Sequence, residues 1–189
     1  MIRITTGIYK GRKLYIPKNI RPTQNITRKA IFDILGDIRG LSFLDLFAGS
    51  GAVGIEAASR RAKEVFFVEN NSKVVCVLKK NLTYLSESAY VFFPLDVEVA
   101  LKNFYKEGLK FDIIFLDPPY PRKGESIAKK TLQFLSSYDI LTPLGLVVVQ
   151  HFKKDYLPEK LGVLNLFKIY FYGGSALSVY EKIKQKPDF

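Results

Sequence analysis

The hydrophobic residues of this chain follow two different spacings, which separate predicted strands from predicted helices. Continuous apolar runs such as residues 113–116 are typical of buried strands. Val74, Leu78 and Leu82 instead recur at helical spacing and predict a helix with one apolar face. From Leu41 onward the two patterns alternate. The predicted strands are 41–46, 64–68, 89–93, 111–116 and 145–151, and the predicted helices are 52–61, 71–85, 97–106 and 124–137.

Repeated strand–helix units of this kind predict an α/β fold. Apolar strands joined by helices form a doubly wound, mostly parallel sheet that is covered by helices on both faces. Near the end of the chain the pattern changes. Residues 163–172 and 176–182 flank a Gly-Gly-Ser turn at 173–175, which predicts a C-terminal antiparallel hairpin.

The N-terminal region differs from the strand–helix repeats. Residues 1–17 alternate loosely around two glycines and predict a small β-ribbon, and Thr27 is the predicted N-cap of a helix that ends at Leu35. We interpret all 189 residues as a single domain, with 1–40 as a basic extension and 41–189 as a Rossmann-like core.

Composition narrows the class of protein. A chain of 189 residues with 48% hydrophobic and 25% charged residues is globular and long enough for a sizeable core. No apolar run approaches the roughly 20 residues that cross a bilayer, and the N-terminus lacks the apolar region of a signal peptide. The single cysteine excludes an internal disulfide. We therefore expect a cytoplasmic protein, without a membrane partner.

The residues that most often bind metals are too few to predict a metal site. The chain has one histidine, His151, and one cysteine, Cys76, without further ligands at metal-site spacing. We expect His151 to be a structural residue at a strand end. Cys76 falls in the apolar helix 71–85 and is expected in the core.

Positive charge is concentrated in residues 1–40, called the basic arm below. The arm holds nine basic and two acidic residues and so contributes +7 of the net charge of +11. Such a concentration favours a polyanionic partner, and the tyrosines among these charges favour nucleic acid, because bases stack on aromatic rings. A basic protein with a solvated N-terminus is the alternative. The predicted RNA contacts are Tyr9, Lys10, Arg12, Lys13, Arg21 and Arg28.

A glycine-rich segment follows the first strand of the α/β pattern. It reads Asp-Leu-Phe-Ala-Gly-Ser-Gly-Ala-Val-Gly over residues 45–54 and has the GxGxxG spacing, which lets a ligand approach the backbone closely. Glu69 ends the second strand, 20 residues beyond Gly49, where a carboxylate can accept hydrogen bonds from ribose hydroxyls. The segment therefore predicts a nucleoside cofactor.

Two nucleoside cofactors compete for this segment. NAD would place a pyrophosphate at the following helix, where Asp45 would repel it. S-adenosylmethionine has no phosphate, and its ammonium group would be attracted by Asp45, while Asp96 after the third strand could accept from the adenine amine. Acids at three successive strand ends favour S-adenosylmethionine. The predicted cofactor-binding residues are Asp45, Phe47, Gly49, Gly51, Glu69, Asp96 and Thr23.

The tetrapeptide Asp117-Pro118-Pro119-Tyr120 follows the predicted strand 111–116. Proline removes backbone donors and favours an extended residue before it, so the Asp117 carboxylate and the Pro118 carbonyl remain as acceptors beside an aromatic ring. This combination suits a planar molecule with an exocyclic amine. A strand that ends in an ordinary proline turn is the alternative interpretation.

Both motifs resemble class I methyltransferases that methylate amines, which share a D-x-F-x-G-x-G loop and a [D/N/S]-P-P-[Y/F] tetrapeptide. More narrowly, the chain resembles the RsmD family of bacterial 16S rRNA guanine-N2 methyltransferases. The residues that carry this narrower resemblance include the segments 3–14, 21–32 and 43–57.

This resemblance implies a Rossmann-like class I methyltransferase fold and methyl transfer from S-adenosylmethionine to the N2 amine of a guanine. The implied partner is 16S rRNA or the assembling small ribosomal subunit. Nothing in the sequence resembles an extensive dimer surface, so we expect a monomer. The implied catalytic residues are Asp117, Pro118, Pro119 and Tyr120. Because the tetrapeptide is shared with adenine methyltransferases, an adenine-N6 methyltransferase acting on DNA or another RNA stays open.

Four positions depart from the pattern of this family. Thr6 stands where Gly or Ser is usual, Gln24 replaces Thr, Asn25 replaces Asp and Lys29 replaces Glu. The last two changes remove acids and make the basic arm more positive.

Overall fold

The computed structural model of the protein describes residues 2–17, 25–86, 89–119 and 126–183. The chain divides into two compact units, Met1–Ala100 and Leu101–Phe189, called the first and second unit below.

The first unit combines a short β-ribbon with alternating helices and parallel strands. Its elements are β1 (Ile2–Arg3), β2 (Lys13–Leu14), α1 (Asn25–Leu35), β3 (Ser42–Leu46), α2 (Ala52–Ser59), β4 (Glu64–Val68), α3 (Ser72–Leu82) and β5 (Tyr90–Phe93). In the ribbon, β1 and β2 are antiparallel, with Ile2 opposite Leu14. The parallel strands lie in the order β5-β4-β3, and Val68 is opposite both Leu46 and Phe93. The carboxyl ends of these three strands therefore meet at one edge.

The second unit contains a parallel strand pair that continues into an antiparallel hairpin. Helix α4 (Val97–Lys106) crosses the boundary, and β6 (Phe111–Leu116), α5 (Ile127–Ser137), β7 (Leu141–Phe152), β8 (Lys160–Leu161), β9 (Leu164–Tyr172) and β10 (Ser175–Lys182) follow. The strand order is β6-β7-β10-β9-β8, with β6 parallel to β7 and the other pairs antiparallel.

The predicted α/β class, with a mostly parallel sheet and a C-terminal antiparallel hairpin, is confirmed. Strand β6 has the predicted bounds 111–116, and the hairpin strands turn at Gly173 and Gly174. Strand β7 is longer than predicted, because it already begins at Leu141, opposite Phe111. The register between β6 and β7 shifts just after that pair, and the continuous buried run of β7 begins only at Val147.

Two local predictions were wrong. Thr27 is buried inside α1 rather than at its N-cap, because the helix already begins at Asn25. Cys76 is exposed rather than in the core. The buried face of α3 is formed by Val74, Leu78 and Leu82, and Cys76 follows Val74 by two positions, which is more than half a turn away from that face.

His151 is buried within β7 and hydrogen-bonds to the neighbouring strand β10. Its Nε2 lies 2.8 Å from Ser178 Oγ, and its Nδ1 lies 3.0 Å from the Phe152 carbonyl oxygen. Burial lowers the pKa of His151 below its usual 6.5, although the Phe152 carbonyl and Asp155 oppose this shift. Among the described residues, no three His, Cys, Asp or Glu side chains cluster as a metal site would require.

The lowered pKa of His151 predicts a pH dependence of folding stability. The unfolded chain takes up a proton on this histidine at a higher pH than the folded chain does. The free energy of unfolding should therefore be constant above about pH 6.5 with respect to this group and fall as the pH drops below it. Urea titrations between pH 5 and 8 test this. The fall should be smaller in His151→Gln, and an equal fall in that variant would assign the effect to other groups.

No helix in the described ranges is long and apolar enough to span a bilayer.

Candidate active site

The glycine segment joins β3 to α2 through a backbone that few residues adopt. Gly49 and Gly51 have φ values of +58° and +77°, in the left-handed region that favours glycine. Phe47 has a φ of +60°, which is rare for a bulky residue and marks strain that the surroundings must hold. A Cβ added at Gly49 would meet only the Phe47 carbonyl oxygen, at 3.9 Å. Space is therefore open at the segment where a ligand would approach the backbone.

Asp45 connects the end of β3 to the first turn of α2. The residue is buried, and its Oδ2 accepts a hydrogen bond of 2.9 Å from the Gly54 N–H. This contact satisfies a free donor of the helix N-terminus and places a negative charge where the helix dipole favours one. A Cβ at Gly54 would lie 2.3 Å from Phe67 Cε1, so only glycine fits there. Gly54 is therefore needed for close packing against Phe67, in addition to its predicted place in the ligand-binding segment.

Glu69 holds the glycine segment to the end of β4. Its Oε2 accepts from the Gly49 N–H at 3.0 Å, and its Oε1 accepts from the Asn71 N–H at 2.9 Å. The Ala48 N–H also donates to the Val68 carbonyl at 2.9 Å. Both carboxylate oxygens keep further lone pairs, so Glu69 can accept from a ligand while it positions the segment.

Asp96 lies between β5 and α4, directly before the first residue of the helix. Its Oδ1 accepts from the Glu98 N–H at 2.9 Å, and Asn70 Nδ2 lies 3.4 Å from its Oδ2. Asp96 is exposed. The first unit thus brings Asp45, Glu69 and Asp96 together at the carboxyl edge of its three parallel strands, the edge at which α/β sheets bind ligands.

In the second unit, Asp117 directly follows β6. Asp117 is half-buried, Pro118 is buried and Pro119 is exposed. The buried apolar residues of β6 fix the strand, and the strand delivers the carboxylate to its own carboxyl end. Tyr120 lies outside the described residues, as do Thr23 and Arg21.

Arg28 must be removed from the predicted RNA contacts. Its side chain has no exposed surface, and its Nε lies 3.4 Å from Glu56 Oε2. Its Nη2 donates to the Arg3 carbonyl and, at 3.1 Å, to Asn25 Oδ1. Burial lowers the pKa of Arg28, and the Glu56 carboxylate partly opposes that shift. A guanidinium without exposed surface cannot contact a phosphate, so Arg28 has a structural role.

Other arm residues stay available at the surface. Lys10, Arg12 and Lys13 are exposed, and Tyr9 is half-buried. The Arg12 guanidinium lies 5.1 Å from the centre of the Tyr9 ring and 5.3 Å from that of Tyr84. These two cation–π contacts orient Arg12 and leave it exposed for an anion.

Sequence reasoning missed Glu56, which attaches the basic arm to α2. Its carboxylate accepts from Thr5 N–H at 2.8 Å, Thr5 Oγ1 at 2.7 Å and Thr6 N–H at 2.9 Å. The available signal was a single acid in the otherwise small and apolar helix Ala52–Ser59, because acids are seldom buried unless they are paired.

Sequence reasoning also missed Asn81, which joins the arm to the glycine segment. From α3, its Oδ1 accepts from the Tyr15 N–H at 2.8 Å, and its Nδ2 donates to the carbonyl oxygens of Tyr15 at 2.9 Å and Ser50 at 2.8 Å. Asn81 is fully buried. The arm and the segment therefore share one amide.

Replacing Asn81 by Ala should lower stability by about 1–3 kcal/mol, since it removes the partner of the buried Ser50 carbonyl and of the part-buried backbone groups of Tyr15. Affinity for the predicted cofactor, S-adenosylmethionine, should also fall, because the Ser50 carbonyl loses the contact that positions the glycine segment. Urea unfolding and calorimetric titration measure the two effects. The matched control is Thr83→Ala, at the exposed end of the same helix. Unchanged cofactor affinity in Asn81→Ala would show that the segment does not depend on this amide.

Comparison with known proteins agrees with this fold. The order of parallel strands and helices is that of a class I methyltransferase fold. A hypothetical protein of Thermus thermophilus, TTHA0928, has this fold with a TM-score of 0.82 at 36% identity, over 96% of this chain and 99% of that one. The more distant SMU.776, solved with SAH, shows the fold alone, with a TM-score of 0.63 at 17% identity over 85% of this chain and 50% of that one.

The model of the family described as Conserved hypothetical protein 95 matches residues 2–181, and the chain belongs to this family. Ribosomal RNA small subunit methyltransferase D of Escherichia coli is 31% identical, over 97% of this chain and 91% of its own length. The protein of the same name from Haemophilus influenzae is 35% identical, over 79% of this chain and 78% of its own length. The resemblance to the RsmD family is thereby confirmed.

Proposed function

We propose that the protein transfers a methyl group from S-adenosylmethionine to the exocyclic N2 amine of a guanine in small-subunit rRNA. The observation that carries the proposal is the half-buried Asp117, delivered by β6 and followed by two prolines. The names of the Escherichia coli and Haemophilus influenzae relatives support rRNA of the small subunit as the substrate. The choice of guanine rests on the resemblance to the RsmD family.

Asp117 and Pro118 would hold the amine. Its lone pair is delocalised into the base, which makes it a poor nucleophile. Hydrogen bonds from its N–H groups to the Asp117 carboxylate and the Pro118 carbonyl would localise the lone pair and orient it. Neither Pro118 nor Pro119 has a backbone N–H that could compete for these acceptors. The nitrogen becomes acidic only once it is methylated, and Asp117 can then accept its proton.

The residues at the edge of the first unit fit S-adenosylmethionine. When bound, this cofactor supplies a methyl group on a sulfonium. Asp45 offers a carboxylate for its ammonium, Glu69 offers acceptors for ribose hydroxyls, and the exposed Asp96 offers an acceptor for the adenine amine. The open space at Gly49 and the left-handed backbone of Phe47 fit a ligand in contact with the segment.

The RNA would be bound through the basic arm and the tetrapeptide. A guanine inside a helix cannot present its amine, so the substrate base must be looped out or flipped. Tyr120 would stack on it, a contact worth about 1–3 kcal/mol. Tyr9, Lys10, Arg12 and Lys13 would contact the RNA together with Arg21. We further propose that the protein acts in the cytoplasm as a monomer.

Tritiated S-adenosylmethionine tests the substrate class. It is offered with undermethylated small subunits, naked 16S rRNA and DNA in separate reactions. We expect incorporation into the subunits or the rRNA and none into DNA. Incorporation into DNA alone would contradict the proposal and favour an adenine-N6 methyltransferase, because the tetrapeptide binds an amine and not a particular base.

A further inference from the structure

A cavity in the first unit lies outside the residues assigned to the cofactor and the amine. Its volume is about 450 Å³, within the range of small-molecule sites. The basic arm, α1 and the residue after α2 contribute its walls. The lining residues are Thr5, Thr6, Asn25, Ile26, Lys29, Asp33 and Arg60. Three of the four departures from the family pattern, Thr6, Asn25 and Lys29, lie here.

Arg60 is a fixed cation of this cavity. Its guanidinium lies 4.4 Å from the centre of the Phe32 ring, and its Nη2 donates to Thr6 Oγ1 at 3.1 Å. Its Nε lies 3.5 Å from Glu56 Oε1. The side chain nevertheless keeps 19% of its surface exposed. Arg60 therefore presents a positive charge whose orientation is set before any ligand binds.

The charges around the cavity leave a surplus of one positive charge. The carboxylate of Glu56 accepts from the lining residues Thr5 and Thr6. It faces two guanidiniums, those of Arg28 and Arg60. The buried Nε and Nη1 of Arg28 and the Nε of Arg60 have no hydrogen-bond acceptor in the described part of the chain. At the cavity wall, the positive charge of Lys29 is balanced by the negative charge of Asp33. One singly charged anion would balance the cluster.

Lys29 is the cation most accessible to such an anion. It is exposed on α1, and no salt bridge of Lys29 occurs among the described residues. Ile26 stands beside it with 71% of its surface exposed and offers an apolar wall. The hydroxyl of Thr6 and the amide of Asn25 add short polar groups. A charged centre beside an apolar wall suits a phosphodiester attached to a sugar.

We propose that this cavity binds a phosphodiester group of the RNA substrate, at a nucleotide other than the one that is methylated. Lys29 and Arg60 bind the phosphate oxygens, and Ile26 packs against the attached sugar. Asp33 limits the affinity, because its charge opposes that of the phosphate. The inference rests on the proposed function, since it takes RNA as the partner.

Charge variants of α1 test this site in both directions. We expect Lys29→Ala to weaken binding of a labelled single-stranded RNA several-fold at low salt. The slope of log affinity against log salt should also become shallower by about 0.7, the contribution of one phosphate contact on a single strand. Asp33→Asn should tighten binding. Both residues are exposed, so unfolding is not expected, and thermal melts check this.

The matched control is Lys102→Ala, which removes one exposed lysine of α4 that does not line the cavity. Equal affinity and equal salt slope in Lys29→Ala and Lys102→Ala would overturn the inference. So would a Lys29→Ala variant that loses binding of inorganic phosphate but keeps full RNA affinity. Methyl transfer by the unaltered protein is measured separately. Its absence with every RNA refutes the proposed function, whereas methyl transfer by the unaltered protein combined with equal RNA binding by Lys29→Ala and Lys102→Ala refutes only this site.

Discussion

Replacing Asp117 by alanine should reduce methyl transfer by at least about a hundredfold to a thousandfold, the cost of removing one preorganised partner from a reacting centre. The carboxylate follows β6 directly and, in the proposed reaction, accepts an N–H of the amine. Alanine removes that acceptor and the orientation it imposes. Affinity for S-adenosylmethionine should stay nearly unchanged, because the residues proposed to bind it belong to the other unit. Single-turnover rates and calorimetric titration measure the two quantities.

Asp117→Asn is the conservative control. Its amide oxygen still accepts one hydrogen bond, so this variant should retain more activity than Asp117→Ala. Because the amide cannot take up the proton, its activity should stay below that of the unaltered protein. Full activity in Asp117→Ala would show that the tetrapeptide is only a proline turn. A parallel loss of cofactor affinity would instead point to a disturbed fold.

The second large effect is expected on stability, from Glu56→Gln. Glu56 has no exposed surface and pairs with Arg28, which has none either. Removing one partner of such a buried pair typically costs about 3–5 kcal/mol, because the other charge is left without compensation. The backbone of Thr5 and Thr6 also loses its charged acceptor. Urea unfolding measures the change in free energy, with the midpoint shifted and the slope retained.

Two further variants show whether the loss of stability comes from leaving a buried charge unpaired or from breaking any ion pair. The double variant Arg28→Met with Glu56→Gln should be less destabilised than Glu56→Gln alone. In the double variant, the buried guanidinium of residue 28 is removed together with the carboxylate that compensated its charge. Asp37→Asn breaks an exposed pair with Arg39 and should have little effect. If Glu56→Gln is as mild as Asp37→Asn, the buried pair does not anchor the basic arm.

Site features that depend on residues close together in the sequence could be predicted. The glycine segment, the acid Glu69 at the next strand end and the tetrapeptide after β6 are local, and each sits where strand and helix periodicity put it. Parallel neighbours then bring the ends of β3, β4 and β5 to one edge without further information.

Long-range contacts could not be predicted in this way. Glu56 and Thr5 are 51 positions apart, and Asn81 and Tyr15 are 66 apart. Nothing in the spacing of either residue names its partner. Arg28 shows the resulting error, because its charge indicated a solvated RNA contact until the burial beside Glu56 was known.

Two predictions failed because a residue was assigned to the wrong position on its helix. Helix α1 begins two residues before Thr27, and Cys76 falls on the exposed side of α3 although its neighbours are apolar. Threonine is a common N-cap and cysteine is often buried, but the position of each residue on its helix decided where it lies.

Methylation of the N2 amine of a guanine in small-subunit rRNA is the central activity proposed for this protein. The most direct test uses S-adenosylmethionine with a deuterated methyl group and undermethylated small subunits, followed by digestion of the RNA to nucleosides and mass spectrometry. We predict labelled N2-methylguanosine, absent when Asp117→Ala replaces the unaltered protein. Labelled N6-methyladenosine, or no labelled nucleoside, would contradict the proposal.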